Sequence, residues 1–150
     1  PCAETFAGSG PFSEPETKAV QDFLTKSAAD FKASLSFHSY GQYILYPWGY
    51  DRKVPPDHEE LDRVGKLAAE AMLKVNGNSY TVGPAGSSLY PASGGSDDWA
   101  KGSLKFKYSY TVELRDTGRH GFILPADQIV STGQETMAFM NVIANAVTKA

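Results

Sequence analysis

Cysteine is nearly absent from this sequence, because Cys2 is the only one among 150 residues. A single cysteine cannot form a disulfide within the chain, nor can it supply the several thiolates of a zinc finger or ribbon. Any metal ion would therefore need histidine and carboxylate ligands. The apolar runs, such as residues 142–147, are far shorter than the roughly 20 residues that cross a bilayer, so we expect no membrane partner. Pro1 opens no signal segment, and we expect either a cytosolic protein or one whose leader has been removed.

A strong excess of charge is also missing. The 17 acidic and 14 basic residues give a formal net charge of −3, and the basic residues are spread along the chain, so we expect no nucleic acid partner. The sequence has no G-x-S-x-G elbow, P-loop or G-x-G-x-x-G turn, which leaves serine hydrolase and nucleotide chemistries without support. The remaining composition, 41% hydrophobic and 21% charged residues, is typical of one globular domain.

Helical and strand periods alternate along the chain. Capping-box patterns predict helices that begin near Ser13, Asp57 and Thr132, the last completed by Glu135. Period-two alternation predicts strands at residues 33–38 and 105–114, with a strand-like island at 80–82 inside a stretch rich in Gly, Ser and Pro. This alternation predicts an α/β sheet with helices packed on its faces.

Chemically capable side chains occur at two predicted strand ends. His38 and Glu113 both lie where ligands collect in α/β sheets, at the carboxyl ends of strands. Taken alone, His38 could be a metal ligand, a general base or a histidine satisfied by a nearby carbonyl. His58 and Asp62 have the i, i+4 spacing of a metal pair, but acidic residues around a helix start are also what capping favours. The Asp97-Asp98 pair after a glycine-rich turn is likewise typical of a helix cap.

Three segments resemble the zinc metallocarboxypeptidases of the pancreatic carboxypeptidase A and B type. Residues 38–50 contain HSYGQ and YPWGY, residues 89–99 read LYPASGGSDDW, and residues 112–122 read VELRDTGRHGF. The spacing between the segments also agrees with that family. Pro1–Phe6, PCAETF, is similar to the family's PCSETY segment, so the resemblance covers essentially the whole chain.

The resemblance implies a mixed parallel and antiparallel sheet with helices on both faces, in the zinc carboxypeptidase fold. Residues 1–150 would form the C-terminal part of a single catalytic domain, because the family's His-x-x-Glu zinc pair and its carboxylate-gripping arginines precede the segment that Pro1 matches. His38 would be one zinc ligand. The other ligands would come from an N-terminal half that is a separate chain, unless the sequence is a truncated piece from which that half is simply absent. Glu113 matches the catalytic glutamate, the general base and acid of peptide hydrolysis.

The same resemblance implies the substrate-binding residues. Tyr90 matches a mobile tyrosine that closes over the substrate. Asp97 occupies the position that is apolar in A-type and aspartate in B-type enzymes, so the substrate would end in Lys or Arg. Further residues match subsite, cleft and pocket-wall positions: Ser39, Tyr40, Leu89, Ala92, Gly95 and Phe122.

Several further features follow from the family. Cys2 would form a disulfide with the missing half, in a secreted protein made as a zymogen, and proteinaceous carboxypeptidase inhibitors would be possible partners. The Ser39-Tyr40, Pro47-Trp48 and Arg115-Asp116 peptide bonds would be cis. An inactive carboxypeptidase-like binding module is the alternative, but such modules usually lack the glutamate that Glu113 provides. A serine nucleophile would require Ser39 beside His38, and adjacent residues of a strand point to opposite faces.

Overall fold

The chain divides between Phe31 and Lys32 into two units, and the computed structural model describes its residues 8–149. Cys2 and the Pro1–Phe6 segment lie outside the described residues, so the disulfide stays a prediction. The first unit contains helix α1, Pro15–Lys26, followed by a short 3-10 turn, Ala28–Asp30. The helix begins after Glu14 without a side-chain cap, and the predicted Ser13 cap is wrong because the Ser13 hydroxyl donates to the Glu14 carboxylate instead, at 2.9 Å.

The second unit is built on a four-stranded mixed sheet. Its strands are β1 (Ala33–Ser39), β2 (Tyr43–Tyr46), β3 (Thr81–Pro84) and β4 (Tyr108–Leu114), in the spatial order β1-β4-β2-β3. Strands β1 and β4 run parallel, as do β2 and β3, while β2 and β4 are antiparallel. The sheet is therefore mixed, as the resemblance implies.

Helices lie on both faces of this sheet. They are α2 (His58–Asn76), α3 (Ala85–Ser88), α4 (Ser96–Gly102) and α5 (Ile129–Val147), with a 3-10 turn at Ala126–Gln128. The Tyr110 hydroxyl donates to the Leu61 carbonyl in α2 at 2.7 Å, whereas the neighbouring Ser109 hydroxyl donates to the Asp97 carbonyl in α4 at 2.9 Å. Since adjacent residues of a strand face opposite sides, α2 and α4 pack on opposite faces of the sheet. In residues 8–149 no helix has both the length and the apolar character to cross a membrane.

The hydrophobic core lies between the sheet and helices α2 and α5. The Tyr110 and Phe139 rings meet edge to face at 6.1 Å, and Gly65 lets α2 approach the sheet, because a Cβ there would stand 2.8 Å from Val82 Cγ1. Full burial of one such large apolar side chain stabilises the fold by about 1.5–3 kcal/mol. The core residues are Ile44, Tyr46, Leu61, Val64, Ala68, Met72, Tyr80, Tyr108, Tyr110, Val112, Phe139 and Ile143.

Several elements differ from the sequence prediction: β4 begins at Tyr108 rather than at residue 105, and helix α3 has no predicted counterpart. Strand β2 was not predicted, because three of its four residues are buried and its sequence shows no alternation that would mark it as a strand. Helix α5 begins at Ile129 rather than near Thr132. Its buried face carries Glu135, Phe139 and Ile143, so the expected capping role of Glu135 is wrong.

Candidate active site

His38 and Glu113 lie side by side at the carboxyl ends of two parallel strands. They are partners in the register of β1 and β4, so their side chains emerge on the same face of the sheet. Ser36 pairs with Thr111 one step earlier on that face. The face is polar because each strand alternates an apolar residue toward the core with a polar one toward the other side. The sequence placed both residues at strand ends, and the fold adds that these two strands are neighbours.

The Glu113 carboxylate is half-buried, and its surroundings make it a stronger base than an exposed glutamate. Burial raises its pKa, and the nearby His38 lowers the pKa in part. The turn after β1 lies against Glu113, because a Cβ at Gly41 would stand 3.7 Å from the Glu113 Cβ. The Gly41 and Gln42 N–H groups hold this turn by donating to the Leu114 carbonyl, at 3.0 and 3.2 Å. A Cβ at Gly41, whose φ is 156°, would stand 2.9 Å from the Tyr43 ring. The main chain at residue 41 can therefore lie this close to the Tyr43 ring only because Gly41 has no side chain.

His38 is the residue at this position whose chemistry suits a zinc ion. His38 is exposed, and a neutral imidazole is a usual zinc ligand, so this residue fits one position of a catalytic site that takes three protein ligands. Among residues 8–149, however, no three His, Cys, Asp or Glu side chains come together as a metal-binding group. His58 does not provide a second ligand together with Asp62, because its Nδ1 lies 3.2 Å from the Pro55 carbonyl and Asp62 pairs with Lys66.

The paired acids at the start of α4 have different surroundings. Asp98 binds the 49–50 turn: it accepts from the Gly49 N–H at 2.8 and 3.0 Å and from the Tyr50 N–H at 2.9 Å. The Asp97 carboxylate accepts the Asp98 N–H at 3.0 Å and the Thr111 hydroxyl at 3.3 Å. Thr111 lies on the same strand face as Glu113, two residues away, so Asp97 faces the side of the sheet that carries Glu113.

The predicted lid and pocket-wall residues lie in the connection between α3 and α4. Residues 89–95 contain no helix or strand, and Tyr90 is 71% exposed. Leu89 is 42% exposed, and the Ala92 N–H donates to the Gly49 carbonyl at 2.8 Å. Gly95 is the N-cap of α4. This segment therefore adjoins the 49–50 turn that Asp98 fixes.

An aromatic pair forms beside the end of β1. The Tyr40 and Phe122 rings meet edge to face with centroids 4.9 Å apart, and Phe122 is 80% exposed. Ser39, the last residue of β1, is also exposed. The Ser39-Tyr40, Pro47-Trp48 and Arg115-Asp116 peptide bonds are all cis, as the resemblance implied.

Sequence reasoning missed two groups near this site. The Asp116 carboxylate accepts the N–H groups of Gly118, His120 and Gly121 at 2.8, 2.7 and 3.2 Å and so shapes the loop before Phe122. An aspartate followed by Thr-Gly was an available signal for such a turn. Arg115 forms a buried ion pair with Glu135, and no local pattern announces a pair 20 residues apart.

Comparison with known proteins agrees with this geometry. The family model described as zinc carboxypeptidase matches residues 1–139. Carboxypeptidase B of Astacus astacus is 47% identical over 147 residues, which cover 98% of this chain and 48% of that protein. Carboxypeptidase A1 of Bos taurus is 51% identical over 136 residues, which cover 91% of this chain and 32% of that protein.

Comparison with solved structures gives a close match of the fold as well. The structure of bovine thrombin-activatable fibrinolysis inhibitor in complex with tick carboxypeptidase inhibitor superposes with a TM-score of 0.94 at 46% identity, covering 99% of this chain and 50% of that one. The chain thus spans about a third to a half of the length of the relatives it matches. These matches confirm the expected fold and the zinc cofactor of the family. The chain belongs to the zinc carboxypeptidases, a family of metalloprotease hydrolases.

Proposed function

We propose that this chain carries the catalytic base, one zinc ligand and the specificity pocket of an exopeptidase that removes C-terminal Lys or Arg from peptides and proteins. The observation that carries the proposal is the pairing of His38 with Glu113 at the carboxyl ends of β1 and β4. Both side chains share the polar face toward which Asp97 also points. One face of the sheet thus carries the three side chains that we assign to the metal, the base and the pocket.

Glu113 is the proposed general base and acid. When bound, zinc supplies a Lewis acid for the scissile carbonyl and for the attacking water. Glu113 accepts a proton from that water and passes it to the nitrogen of the leaving amine. The upward shift of its pKa on burial brings its proton affinity closer to what general catalysis near neutral pH requires.

His38 is the proposed zinc ligand of this chain. The remaining ligands would come from an N-terminal half outside these 150 residues, and residues 1–150 would form the C-terminal part of one catalytic domain. The greater length of the relatives supports this assignment.

Asp97 is the proposed origin of the basic preference. Carboxypeptidases of the A and B types have about the same sequence identity to this chain. Overall similarity therefore does not distinguish the two specificities, and the proposed preference depends on the residue at position 97. A carboxylate enclosed with an apolar substrate side chain would lose its hydration without a partner, whereas a guanidinium or ammonium group would pair with it. Asp98 is already engaged with the Gly49 and Tyr50 N–H groups, which leaves Asp97 as the acid available to a substrate.

The remaining substrate contacts are proposed from position. Ser39, Tyr40 and Phe122 would line the peptide cleft, and Tyr90 would close over the substrate from its exposed connection. The pocket walls would be Leu89, Ala92 and Gly95. The proposed enzyme would be a secreted protein. Proteinaceous carboxypeptidase inhibitors are its proposed partners, since one structural neighbour was solved in complex with a tick carboxypeptidase inhibitor.

The test is Glu113→Gln in the zinc-loaded enzyme that contains this chain together with the half that supplies the other ligands. The amide keeps the shape but cannot accept the proton, so kcat should fall by about 100- to 10,000-fold, the usual contribution of general acid and base catalysis. Zinc content and KM should stay close to those of the wild type. Glu70→Gln, a change of the same kind at an exposed position of α2, is the matched control and should leave kcat unchanged.

The alternative function is an inactive carboxypeptidase-like binding module. A module of that kind would bind peptides ending in Lys or Arg without cleaving them, in the presence or absence of a zinc chelator. Cleavage that stops when zinc is chelated and returns when zinc is restored would support the enzyme. A preparation that holds stoichiometric zinc but never cleaves would overturn the proposal.

A further inference from the structure

A buried ion pair holds the chain just beyond Glu113. Arg115 is 8% exposed and Glu135, on α5, is fully buried. The Arg115 Nε donates to Glu135 Oε2 at 3.0 Å, and its Nη2 donates to Oε1. Its Nη1 donates to Gln128 Oε1 at 3.2 Å and to Ser131 Oγ at 3.1 Å. A planar guanidinium with all three nitrogens engaged is fixed in orientation as well as in position.

Glu135 extends this pair into a network that joins separate elements. Its Oε1 accepts from Asn76 Nδ2 at 3.1 Å and Asn78 Nδ2 at 2.8 Å, and its Oε2 accepts the Tyr80 hydroxyl at 3.3 Å. Burial by itself would raise the pKa of Glu135, but Arg115 and the two asparagines outweigh it and lower the pKa. The network therefore connects the end of β4 with α5, the end of α2 and the start of β3.

The location of Arg115 gives this network a role beyond holding the fold together. Burying an ion pair commonly stabilises a fold no more than apolar residues of the same volume would, so stability alone is a weak reason for one. Arg115 stands two residues after Glu113 and directly before Asp116, whose carboxylate organises the loop to Gly121. Fixing Arg115 therefore fixes the main chain between the proposed base and the loop that leads to Phe122.

We propose that Arg115, clamped by Glu135, is a positioning residue that aims the Glu113 carboxylate. The inference rests on the proposed role of Glu113 as the base. A general base works only within hydrogen-bond reach of the proton it removes, and a displacement of about 1 Å can cost about 100-fold in rate. Loosening the network should therefore lower kcat without removing zinc, because His38 lies on β1 and not on the clamped segment.

The experiment compares Arg115→Met, Arg115→Lys and Glu135→Gln in the complete zinc-loaded enzyme, assayed well below the melting temperature of each variant. Arg115→Met should lower kcat by about 10- to 100-fold with zinc content unchanged and little change in KM. Arg115→Lys keeps the charge but not the planar fork, so it should restore part of kcat. Glu135→Gln keeps the shape, and its kcat should lie between those of Arg115→Met and the wild type.

Ile143→Ala is the control for stability alone. Ile143 is buried on the same helix but is not part of the network, so this variant should lose stability and keep kcat. If the Arg115 and Glu135 variants also keep kcat, the network is only structural and the inference is wrong. Should Arg115→Met fail to fold, Glu135→Gln decides by the same criterion. Glu113→Gln, assayed in parallel, separates the two proposals: if it too retains kcat, the proposed base itself is wrong.

Discussion

Replacing Asp97 with alanine should reverse the substrate preference of the enzyme. The substitution removes two contacts of modest strength, the bonds from the Asp98 N–H at 3.0 Å and the Thr111 hydroxyl at 3.3 Å, so the fold should tolerate it. What it removes from the substrate complex is the charge that would pair with a C-terminal Lys or Arg. An apolar C-terminal side chain would then meet no desolvated carboxylate in the pocket.

The size of the effect can be worked out from the surroundings of Asp97. Truncating one partner of a buried, hydrogen-bonded charge pair costs about 2–5 kcal/mol. Asp97 is only half-buried in the free chain, so solvent screens part of the attraction and the lower end applies. A loss of about 2 kcal/mol corresponds to a decrease of about 30-fold in kcat/KM for substrates ending in Arg.

The assay compares kcat/KM for matched N-acylated substrates that end in Arg, Lys, Leu or Phe, with the complete enzyme. Asp98→Asn is the control: its contacts to the Gly49 and Tyr50 N–H groups predict a lower melting temperature with the Arg preference retained. The reasoning is refuted if the wild type already prefers Phe over Arg, or if Asp97→Ala keeps the wild-type ratio between them.

Two further predictions concern zinc and pH. His38→Ala should lower the zinc content of the complete enzyme, measured by elemental analysis after dialysis, because it removes one of three ligands. His58→Ala is the control and should leave the zinc content unchanged, since His58 lies against the Pro55 carbonyl. Equal zinc content in the two variants would contradict the assignment of His38. For Glu135, whose pKa is lowered from 4.5 in the folded state, the stability contribution is present above about pH 4.5 and is lost as the pH falls through the folded pKa. The free energy of unfolding of Glu135→Gln should therefore fall less steeply between about pH 5 and pH 3 than that of the wild type, and parallel curves in urea titrations would speak against this coupling.

Much of the site could be predicted because its signals are local. The alternation of Ser34, Ser36 and His38 with apolar neighbours predicted the strand and the side on which His38 emerges. The same period placed Glu113 at the end of its strand, and the structure pairs the two residues in register. The segment around Asp97 and Asp98 indicated a helix start, and α4 begins there.

The network around Glu135 shows where local reasoning fails. Its spacing from Thr132 fitted a capping box, yet α5 begins at Ile129 and Glu135 faces the interior. A cap depends on residues three apart, whereas the burial of Glu135 depends on Arg115, Asn78 and Tyr80, which are distant in sequence. The residues next to Glu135 in sequence, and those next to its hydrogen-bond donors, form no pattern that predicts these contacts.

The sequence by itself determined which residue types face which side of each strand and helix, because the periods of 2 and 3.6 residues are properties of the local backbone. Only the tertiary structure decided which strands are neighbours. The unpredicted strand β2 lies between β3 and β4, and β4 pairs with β1 on its other edge. That order brings Glu113 beside His38, and α4 packs against the same face of the sheet. Local periodicity does not reveal this order, because strand order depends on long-range pairing and on helices that cover both sides of the sheet.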